Sequence, residues 1–291
     1  MQTQNCEIAS VIHRFGNAYI QKHNPNSWQL RTLDALTKCR TAALGGHVYQ
    51  CSHCGKEHIS YNSCRNRHCP KCQSSEQLLW AEKRIDSVLS VKHFHIVFTI
   101  PEALNNICLM NSAWFYNAMF SAVWDTLKQF GYTHYGVESG AIAILHTWGQ
   151  NLSLHPHIHC IVPAAGMAIT GNLKHIGSGG KYLYPVRMLS VVFRAKFMEA
   201  LSKHPASKTI KSNYADFIRM AWLKPWVVFC EPSFGKPKHV IGYLGQYIHR
   251  IAISNNRILK ISQTHVTFKM KDYKDNAATK TINLRDRKSV V

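Results

Sequence analysis

The most restrictive feature of the sequence is a block of cysteines near its amino end. Five of the ten cysteines fall between Cys51 and Cys72. They include two CxxC pairs, Cys51-Ser-His-Cys54 and Cys69-Pro-Lys-Cys72, separated by fourteen residues. Each CxxC turn can present two thiolates to one tetrahedral Zn²⁺. The spacing therefore predicts a small zinc-stabilised module with Cys51, Cys54, Cys69 and Cys72 as ligands.

Further metal donors surround these four cysteines. His58, Cys64 and His68 lie within the block, and Cys39 and His47 lie just before it. A second metal ion or an altered ligand set therefore stays open. A closed four-thiolate site has no free coordination position for a substrate, so we expect the zinc to be structural.

The charge balance indicates a polyanionic partner. The chain carries 35 Lys+Arg against 15 Asp+Glu, a formal net charge of +20. Neutralising phosphates releases counterions and steers association, so DNA is the expected partner. A secreted cationic protein and a ribosome-like structural protein are the alternatives. The candidate DNA contacts are the cations Arg65, Arg67, Lys71, Lys238 and Arg250.

Composition and the first residues also indicate where the protein works. A hydrophobic fraction of 46% supports a globular fold and argues against global disorder. The amino end lacks the pattern of a secretory signal, and no stretch of about 18 apolar residues follows. Clustered cysteines in such a chain favour metal binding over disulfides. We expect a soluble cytoplasmic protein associated with the nucleoid.

The hydrophobic pattern predicts helices and strands in alternation. Helical spacing covers residues 8–42, with a break at Asn24-Pro25-Asn26, and recurs in 74–90, 113–130 and 187–203. Short apolar segments bounded by Gly or Pro predict strands within 91–101, 140–148, 155–163 and 226–230. Strands separated by long helical segments indicate a sheet domain of the α/β or α+β class with helices on its faces.

The strand over 155–163 carries the most informative motif, His155-Pro-His157-Ile-His159. Side chains alternate along a strand, so these three histidines share one face while Ile158 packs on the other. Two imidazoles two residues apart on a rigid strand can hold one divalent cation. Structural histidines without a ligand are the alternative.

A cation bound to these histidines would have to complete its shell with neutral donors. No Asp or Glu occurs between Ser139 and Met198. Gln150, at the end of the preceding strand, is the best placed third ligand, and His146 and His155 compete for that position. The same absence argues against a carboxylate-based transfer reaction on this strand.

A third motif, GYLGQYIHR, carries two tyrosines near the basic end of the chain. On a helix, Tyr243 and Tyr247 lie one turn apart beside an apolar stripe. Two phenols so placed, with cationic neighbours, could both reach a phosphate. Amphipathic tyrosines at the rim of a core are the alternative. The GSGGK stretch at 177–181 departs from a phosphate-binding loop, which excludes nucleotide hydrolysis.

In this order, SCRNRHCPKCQ, HTWGQN, HPHIHC and YLGQYIHR resemble the IS91 family of rolling-circle transposases, the two-tyrosine branch of the HUH endonucleases. The resemblance covers roughly residues 5–275. It implies an α+β fold in which an HUH-type nuclease domain, a central antiparallel sheet with flanking helices, follows a helical and zinc-binding domain. The expected boundaries are 1–90, 91–260 and a basic extension over 261–291. Family members continue beyond the strand-like THVTFKMKDY, so we expect a truncated copy.

The resemblance also implies roles for single residues. His157 and His159 are the paired ligands of a catalytic Mg²⁺ or Mn²⁺, with Gln150 assigned by position, and Tyr243 and Tyr247 are the nucleophiles. Cys51, Cys54, Cys69 and Cys72 are the ligands of the structural zinc.

The implied enzyme is a metal-dependent single-strand DNA endonuclease and strand transferase. It nicks and joins single-stranded or hairpin ends of a mobile element and target DNA through 5′-phosphotyrosine intermediates. No membrane and no nucleotide cofactor take part. Two other hypotheses stay open: a zinc-dependent DNA-binding regulator without catalysis, and a metallohydrolase acting on small molecules. DNA nicking that His157→Ala abolishes would separate the first from the transposase.

Overall fold

A computed structural model gives the structure of the chain. It describes residues 6–85, 88–177, 183–204, 219, 221–223, 226–232, 251–272, 275 and 278–285. The described part divides into two compact units. Unit 1 comprises residues 1–80, 150–152 and 249–291, and unit 2 comprises residues 81–149 and 153–248.

Unit 1 begins with a helical pair, α1 (Ile8–His23) and α2 (Ser27–Lys38). The predicted break lies between them, where Asn24 adopts a left-handed conformation with φ 44°. Asn26 then caps α2, because its side chain accepts a hydrogen bond from the Gln29 backbone N–H while the Gln29 side chain accepts one from the Asn26 N–H.

A hairpin follows the helical pair. It consists of β1 (Gly46–Gln50) and β2 (Glu57–Tyr61) and precedes helix α3 (Pro70–Ile85). Unit 1 also holds a three-stranded antiparallel sheet of β10 (Ile258–Ile261), β11 (His265–Asp272) and β12 (Ala278–Arg285).

Unit 2 is built around a four-stranded antiparallel sheet. Its strands are β3 (His93–Thr99), β5 (Ile142–Trp148), β6 (Leu154–Pro163) and β9 (Val228–Pro232), in the spatial order β5-β6-β3-β9. A smaller sheet pairs β4 (Val137–Ser139), β7 (Ala165–Ala168) and β8 (Leu173–His175). The helices of this unit are α4 (Asn105–Met110), α5 (Ser112–Phe130) and α6 (Val186–Lys203).

The core of unit 2 lies between one face of the large sheet and the helices α5 and α6. Phe98 of β3 packs edge-on against Phe193 of α6, and Phe115 of α5 packs edge-on against Phe197. All four side chains are fully buried. Because alternate residues of each strand face this core, the remaining residues of β3, β5 and β6 face the other side of the sheet.

The α+β class with antiparallel sheets and flanking helices is confirmed, and every predicted strand segment contains a strand. The predicted domain boundaries stay predictions, and the compact units group the chain in another way. Strands β10 to β12, expected within or next to a separate extension, belong to the same unit as the amino-terminal helices. The backbone N–H of Ile8 donates to Asn255, and the Cys6 thiol donates to the Leu259 carbonyl. Among the described residues, no helix is long and apolar enough to cross a membrane.

Candidate metal centres

Four cysteines of unit 1 bring their sulfur atoms together. The set is Cys39, Cys64, Cys69 and Cys72, with all four atoms within 4.8 Å of one another. The Cys39 and Cys72 sulfurs are 3.5 Å apart, those of Cys69 and Cys39 3.4 Å, and those of Cys64 and Cys72 3.7 Å. Four sulfurs held about 2.3 Å from one Zn²⁺ in a tetrahedron lie about 3.8 Å apart. The cluster therefore fits a four-thiolate zinc site.

Burial supports the same conclusion. Burial raises the pKa of the Cys64 thiol to about 11, and it also raises the pKa of Cys69. Both cysteines would remain protonated in the absence of a cation. Zinc binding deprotonates such thiols and stabilises the fold around them. Four thiolates would fill all the coordination positions of one Zn²⁺, so a zinc ion bound here is structural.

Of the predicted zinc ligands, Cys69 and Cys72 belong to this cluster whereas Cys51 and Cys54 lie outside it, so a ligand role for Cys51 and Cys54 stays a prediction. The cause of this separation is the length of the β1–β2 hairpin. Its five paired positions run from Gly46 opposite Tyr61 to Gln50 opposite Glu57, about 14 Å of strand.

The cluster forms at the base of this hairpin, and Cys51 and Cys54 occupy the turn at its other end. Cys39 follows α2 directly, and the Cys64 backbone N–H contacts the Cys39 sulfur at 3.5 Å. The Arg40 N–H donates to the Asn62 carbonyl at 3.0 Å, which joins the two segments that flank the hairpin. Cys39 and Cys64 were among the donors left open by the sequence.

The predicted DNA contacts of unit 1 differ in their availability. Arg65 and Arg67 are exposed, and the Arg67 guanidinium lies 5.7 Å from the centre of the Trp28 ring. Lys71 is half-buried and forms an ion pair with Glu7 at 2.6 Å, so much of its charge is already neutralised within the unit. Lys238 and Arg250 lie outside the described residues, and their roles stay predictions.

The second centre lies on the large sheet of unit 2, on the side away from the core. In the register of the ladders, His146 of β5 lies directly opposite His157 of β6, and His157 lies opposite Thr99 of β3. His159 lies opposite Val97 in the next row of this face. We call this side of the sheet the histidine face.

Three imidazoles converge on the histidine face. The nearest ring nitrogens of His146, His157 and His159 lie within 4.8 Å of one another. The ring centres of His146 and His159 are 4.7 Å apart, and those of His157 and His159 are 4.9 Å apart. Three ring nitrogens at this spacing can ligate one cation.

Hydrogen bonds fix which nitrogens are available to a metal. His157 Nδ1 lies 2.6 Å from the backbone carbonyl of His155, an acceptor only, so Nδ1 carries the proton and Nε2 is left for a metal. His159 Nδ1 lies 2.9 Å from Nε2 of His95 on β3, so this contact engages Nδ1 rather than Nε2 of His159, and the tautomers of the two rings decide which of them donates. The residues present therefore fit a divalent cation.

Burial keeps these imidazoles neutral. It lowers the pKa of His157 to about 4, and it lowers the pKa of His159 to about 2 with further contributions from the neighbouring histidines. Burial also lowers the pKa of His95 to about 4. Only a neutral imidazole can ligate a metal, so the cluster is ready to bind at neutral pH.

The outcome for the other predicted residues is mixed. His146, one of the alternatives for the third ligand, is the residue that lies with the histidine pair. Gln150 belongs to unit 1, where its backbone carbonyl accepts a hydrogen bond from Arg257, and its role as a ligand stays a prediction. His155 contributes its carbonyl to the orientation of His157. Tyr243 and Tyr247 lie outside the described residues.

The neutral cluster predicts a pH-dependent stability of the metal-free protein. Between about pH 6.5 and pH 4 the unfolded state protonates His157 and His159, whereas the folded state leaves them neutral. The unfolded state then binds more protons, so the free energy of unfolding falls as the pH falls through this window. Urea unfolding at several pH values measures this fall in the free energy of unfolding.

The control for this experiment is a His157→Gln/His159→Gln variant. It should lose stability less steeply than the wild type between pH 6.5 and 4.5. Equal slopes for the two proteins would contradict buried, neutral histidines.

A pair of histidines spaced by one hydrophobic residue on a central antiparallel strand, with a third histidine on the next strand, defines a candidate site for a divalent cation. Two family models match the chain: a putative transposase model (Y2_Tnp) over residues 140–290, and a transposase zinc-binding domain (Zn_Tnp_IS91) over residues 11–100. The chain belongs to this family, the IS91-type rolling-circle transposases.

Two relatives support the assignment. The chain is 41% identical to the putative transposase y4qJ of Sinorhizobium fredii (strain NBRC 101917 / NGR234) over 96% of its own length and 73% of that protein. It is 26% identical to the transposase for insertion sequence element IS801 of Pseudomonas savastanoi pv. phaseolicola, over 79% of its length and 57% of that relative.

Solved structures are similar to a smaller part of the chain. The conjugative relaxase TrwC, in a metal-bound complex with oriT DNA, is 15% identical with a TM-score of 0.31. The match covers 38% of this chain and 43% of the relaxase. A complex of TrwC with a 27-mer DNA that comprises the recognition hairpin and cleavage site matches with 16% identity and the same TM-score.

Proposed function

We propose that the chain nicks and rejoins single-stranded or hairpin DNA on its histidine face, as the nuclease of rolling-circle transposition. The observation that carries the proposal is the convergence of His146, His157 and His159 on the side of the sheet opposite the core. A regulator that only binds DNA would not need three imidazoles that converge on one point.

The donor set favours one of the two expected metals. Mg²⁺ prefers oxygen ligands in octahedral geometry, whereas imidazole nitrogen suits softer divalent ions. We therefore expect Mn²⁺ to bind more tightly than Mg²⁺. When bound, such a cation polarises the scissile phosphate and offsets the charge that develops on it.

The nucleophile in this proposal is the hydroxyl of Tyr243 or Tyr247. A phenol has an ordinary pKa near 10, so it loses its proton as it attacks. A bond forms between the tyrosine oxygen and phosphorus, and the bond from phosphorus to the 3′ oxygen breaks. The products are a 5′-phosphotyrosine and a free 3′-hydroxyl. The phosphodiester energy is retained, so rejoining needs no ATP.

The zinc-bearing unit is proposed to contribute DNA contacts through its exposed cations. Arg65 and Arg67 flank the cysteine cluster, and Arg67 is placed over the exposed Trp28 ring. A cation beside an exposed aromatic ring suits a single strand, since the cation contacts phosphate and the ring stacks on a base.

A cleavage assay tests the proposal. Random-sequence single-stranded DNA labelled at its 3′ end and incubated with Mn²⁺ should give a labelled adduct that survives denaturation, because the downstream fragment stays on the tyrosine. His146→Ala and His157→Ala each remove one imidazole and should lower adduct formation by about 100-fold.

His155→Ala is the matched control. It removes a neighbouring imidazole on the same strand but keeps the backbone carbonyl that orients His157, so the adduct should persist. DNA binding by the wild type without any cleavage in Mn²⁺ would favour the regulator instead.

A further inference from the structure

One buried histidine touches the metal cluster without belonging to it. His95 lies on β3, and its Nε2 is 2.9 Å from Nδ1 of His159. The two rings are parallel to within 3°, with centres 5.1 Å apart. Each residue is 7% exposed, so the contact lies inside the protein, shielded from water.

The arrangement of protons across this contact follows from metal binding. A neutral imidazole carries one proton, so if Nε2 of His159 ligates a cation, its Nδ1 must be protonated. Nδ1 then donates the hydrogen bond, and Nε2 of His95 accepts it. His95 must therefore carry its own proton on Nδ1.

We propose that His95 is a positioning residue for the catalytic metal, fixing both the orientation and the tautomer of His159. The inference rests on the proposed function of the histidine face. Metal-bound histidines usually donate their second ring nitrogen to a carboxylate, a backbone carbonyl or water. His157 follows that rule through the His155 carbonyl, whereas His159 uses an imidazole.

The choice of an imidazole has an electrostatic consequence. A carboxylate in the place of His95 would add a negative charge close to the cation and weaken its pull on the phosphate. His95 is uncharged as an acceptor, and the stretch that supplies the ligands lacks Asp and Glu from Ser139 to Met198. As a neutral acceptor, His95 itself adds no negative charge beside a bound cation, and the carboxylate on the neighbouring strand is that of Glu231, which lies opposite His95 in the ladder with β9.

Three variants of the whole chain separate these roles, with Mn²⁺ affinity measured by calorimetry in the absence of DNA. His95→Phe keeps a planar ring but removes the acceptor, and should weaken Mn²⁺ binding by about 10-fold to 100-fold. His95→Gln restores an acceptor oxygen and should recover most of the affinity. His93→Phe is the matched control, since His93 is also buried on β3 but pairs with Pro163. It should bind Mn²⁺ like the wild type.

A fourth variant tests the charge argument. His95→Glu should bind Mn²⁺ more tightly than the wild type, yet form the DNA adduct more slowly at saturating Mn²⁺. Purely structural damage would lower both the Mn²⁺ affinity and the rate of adduct formation. A higher affinity combined with a lower rate therefore identifies a positioning role.

Failure of the inference differs from failure of the proposed function. A wild type that binds no Mn²⁺ would contradict the metal site itself. A wild type that binds Mn²⁺ while His95→Phe binds it equally well would overturn only the role of His95. If His95→Phe loses thermal stability, the test is whether His95→Gln binds Mn²⁺ as tightly as His93→Phe does. A His95→Gln protein that binds Mn²⁺ as weakly as His95→Phe overturns the inference.

Discussion

The Tyr243→Phe/Tyr247→Phe double variant is expected to form no covalent DNA adduct. Each substitution removes one hydroxyl and leaves the ring, so folding and DNA binding should stay close to those of the wild type. The chemistry disappears because no other group is proposed to attack the phosphate. The measurement is the yield of denaturation-resistant, 3′-labelled adduct in Mn²⁺, with DNA affinity measured in parallel.

The single variants give the order of action. By the rule of 100° per residue, Tyr243 lies about 110° and Tyr247 about 70° from the centre of the apolar stripe of their predicted helix. We therefore expect Tyr243→Phe to remove most of the initial adduct, and Tyr247→Phe to cleave but fail in complete strand transfer. An adduct in the double variant would refute the assignment of the tyrosines, and equal losses in the single variants would refute only the order.

Replacing Cys64 by serine should release the structural zinc and unfold the module around it. Cys64 supplies one of four sulfurs packed 3.4 to 3.7 Å apart, and a serine hydroxyl is a poor zinc ligand. Zinc content by elemental analysis should fall from about one ion per chain towards zero. Proteolysis should then cut within the first 80 residues, while the histidine-bearing sheet stays protected.

The turn of the β1–β2 hairpin provides the matched controls. Cys51→Ser and Cys54→Ser alter exposed cysteines outside the four-sulfur cluster, so each variant should keep its zinc and its resistance to proteolysis. Loss of zinc from either of them, together with retention in Cys64→Ser, would restore the ligand set that the CxxC spacing predicts.

Local patterns were sufficient to predict much of the sheet domain. Segments such as residues 91–101 and 155–163 combine apolar residues with Gly or Pro at their ends, and each contains a strand. The alternation of side chains also placed His157 and His159 on one face, opposite the buried Ile158. These conclusions need only the period of a strand, which is a property of neighbouring residues.

Contacts between distant segments were harder to predict. The sequence pairs Cys51 with Cys54 in an obvious motif, but the cluster takes Cys39 and Cys64, which approach each other only because the hairpin between them folds back on itself. The length of that hairpin is the sequence feature that could have identified Cys39 and Cys64 as members of the cluster. Two five-residue strands place their flanking residues together and their turn far away.

Predicting the third histidine of the cluster likewise required a contact between distant segments, namely the register of β5 against β6. His146 faces His157 only in one alignment of β5 and β6, and the ladder is irregular between His146 and Trp148. His95 was missed because residues 91–101 were considered only as an apolar strand. Its alternation with the buried Phe94 and Ile96 places it on the histidine face, and the ladder then brings it to His159.

The order of strands in the large sheet also affects how the protein folds during synthesis. β3 is made first among the four strands, yet its partners β6 and β9 come later, and His95 lies 64 positions before His159, its contact on β6. Such distant pairings fold slowly. During translation, the apolar β3 must wait unpaired until β6 leaves the ribosome, a period in which it is prone to aggregate. The four clustered cysteines lie within the first 72 residues, so the zinc cluster can form before β6 is made, whereas the rest of its unit waits for β10 to β12.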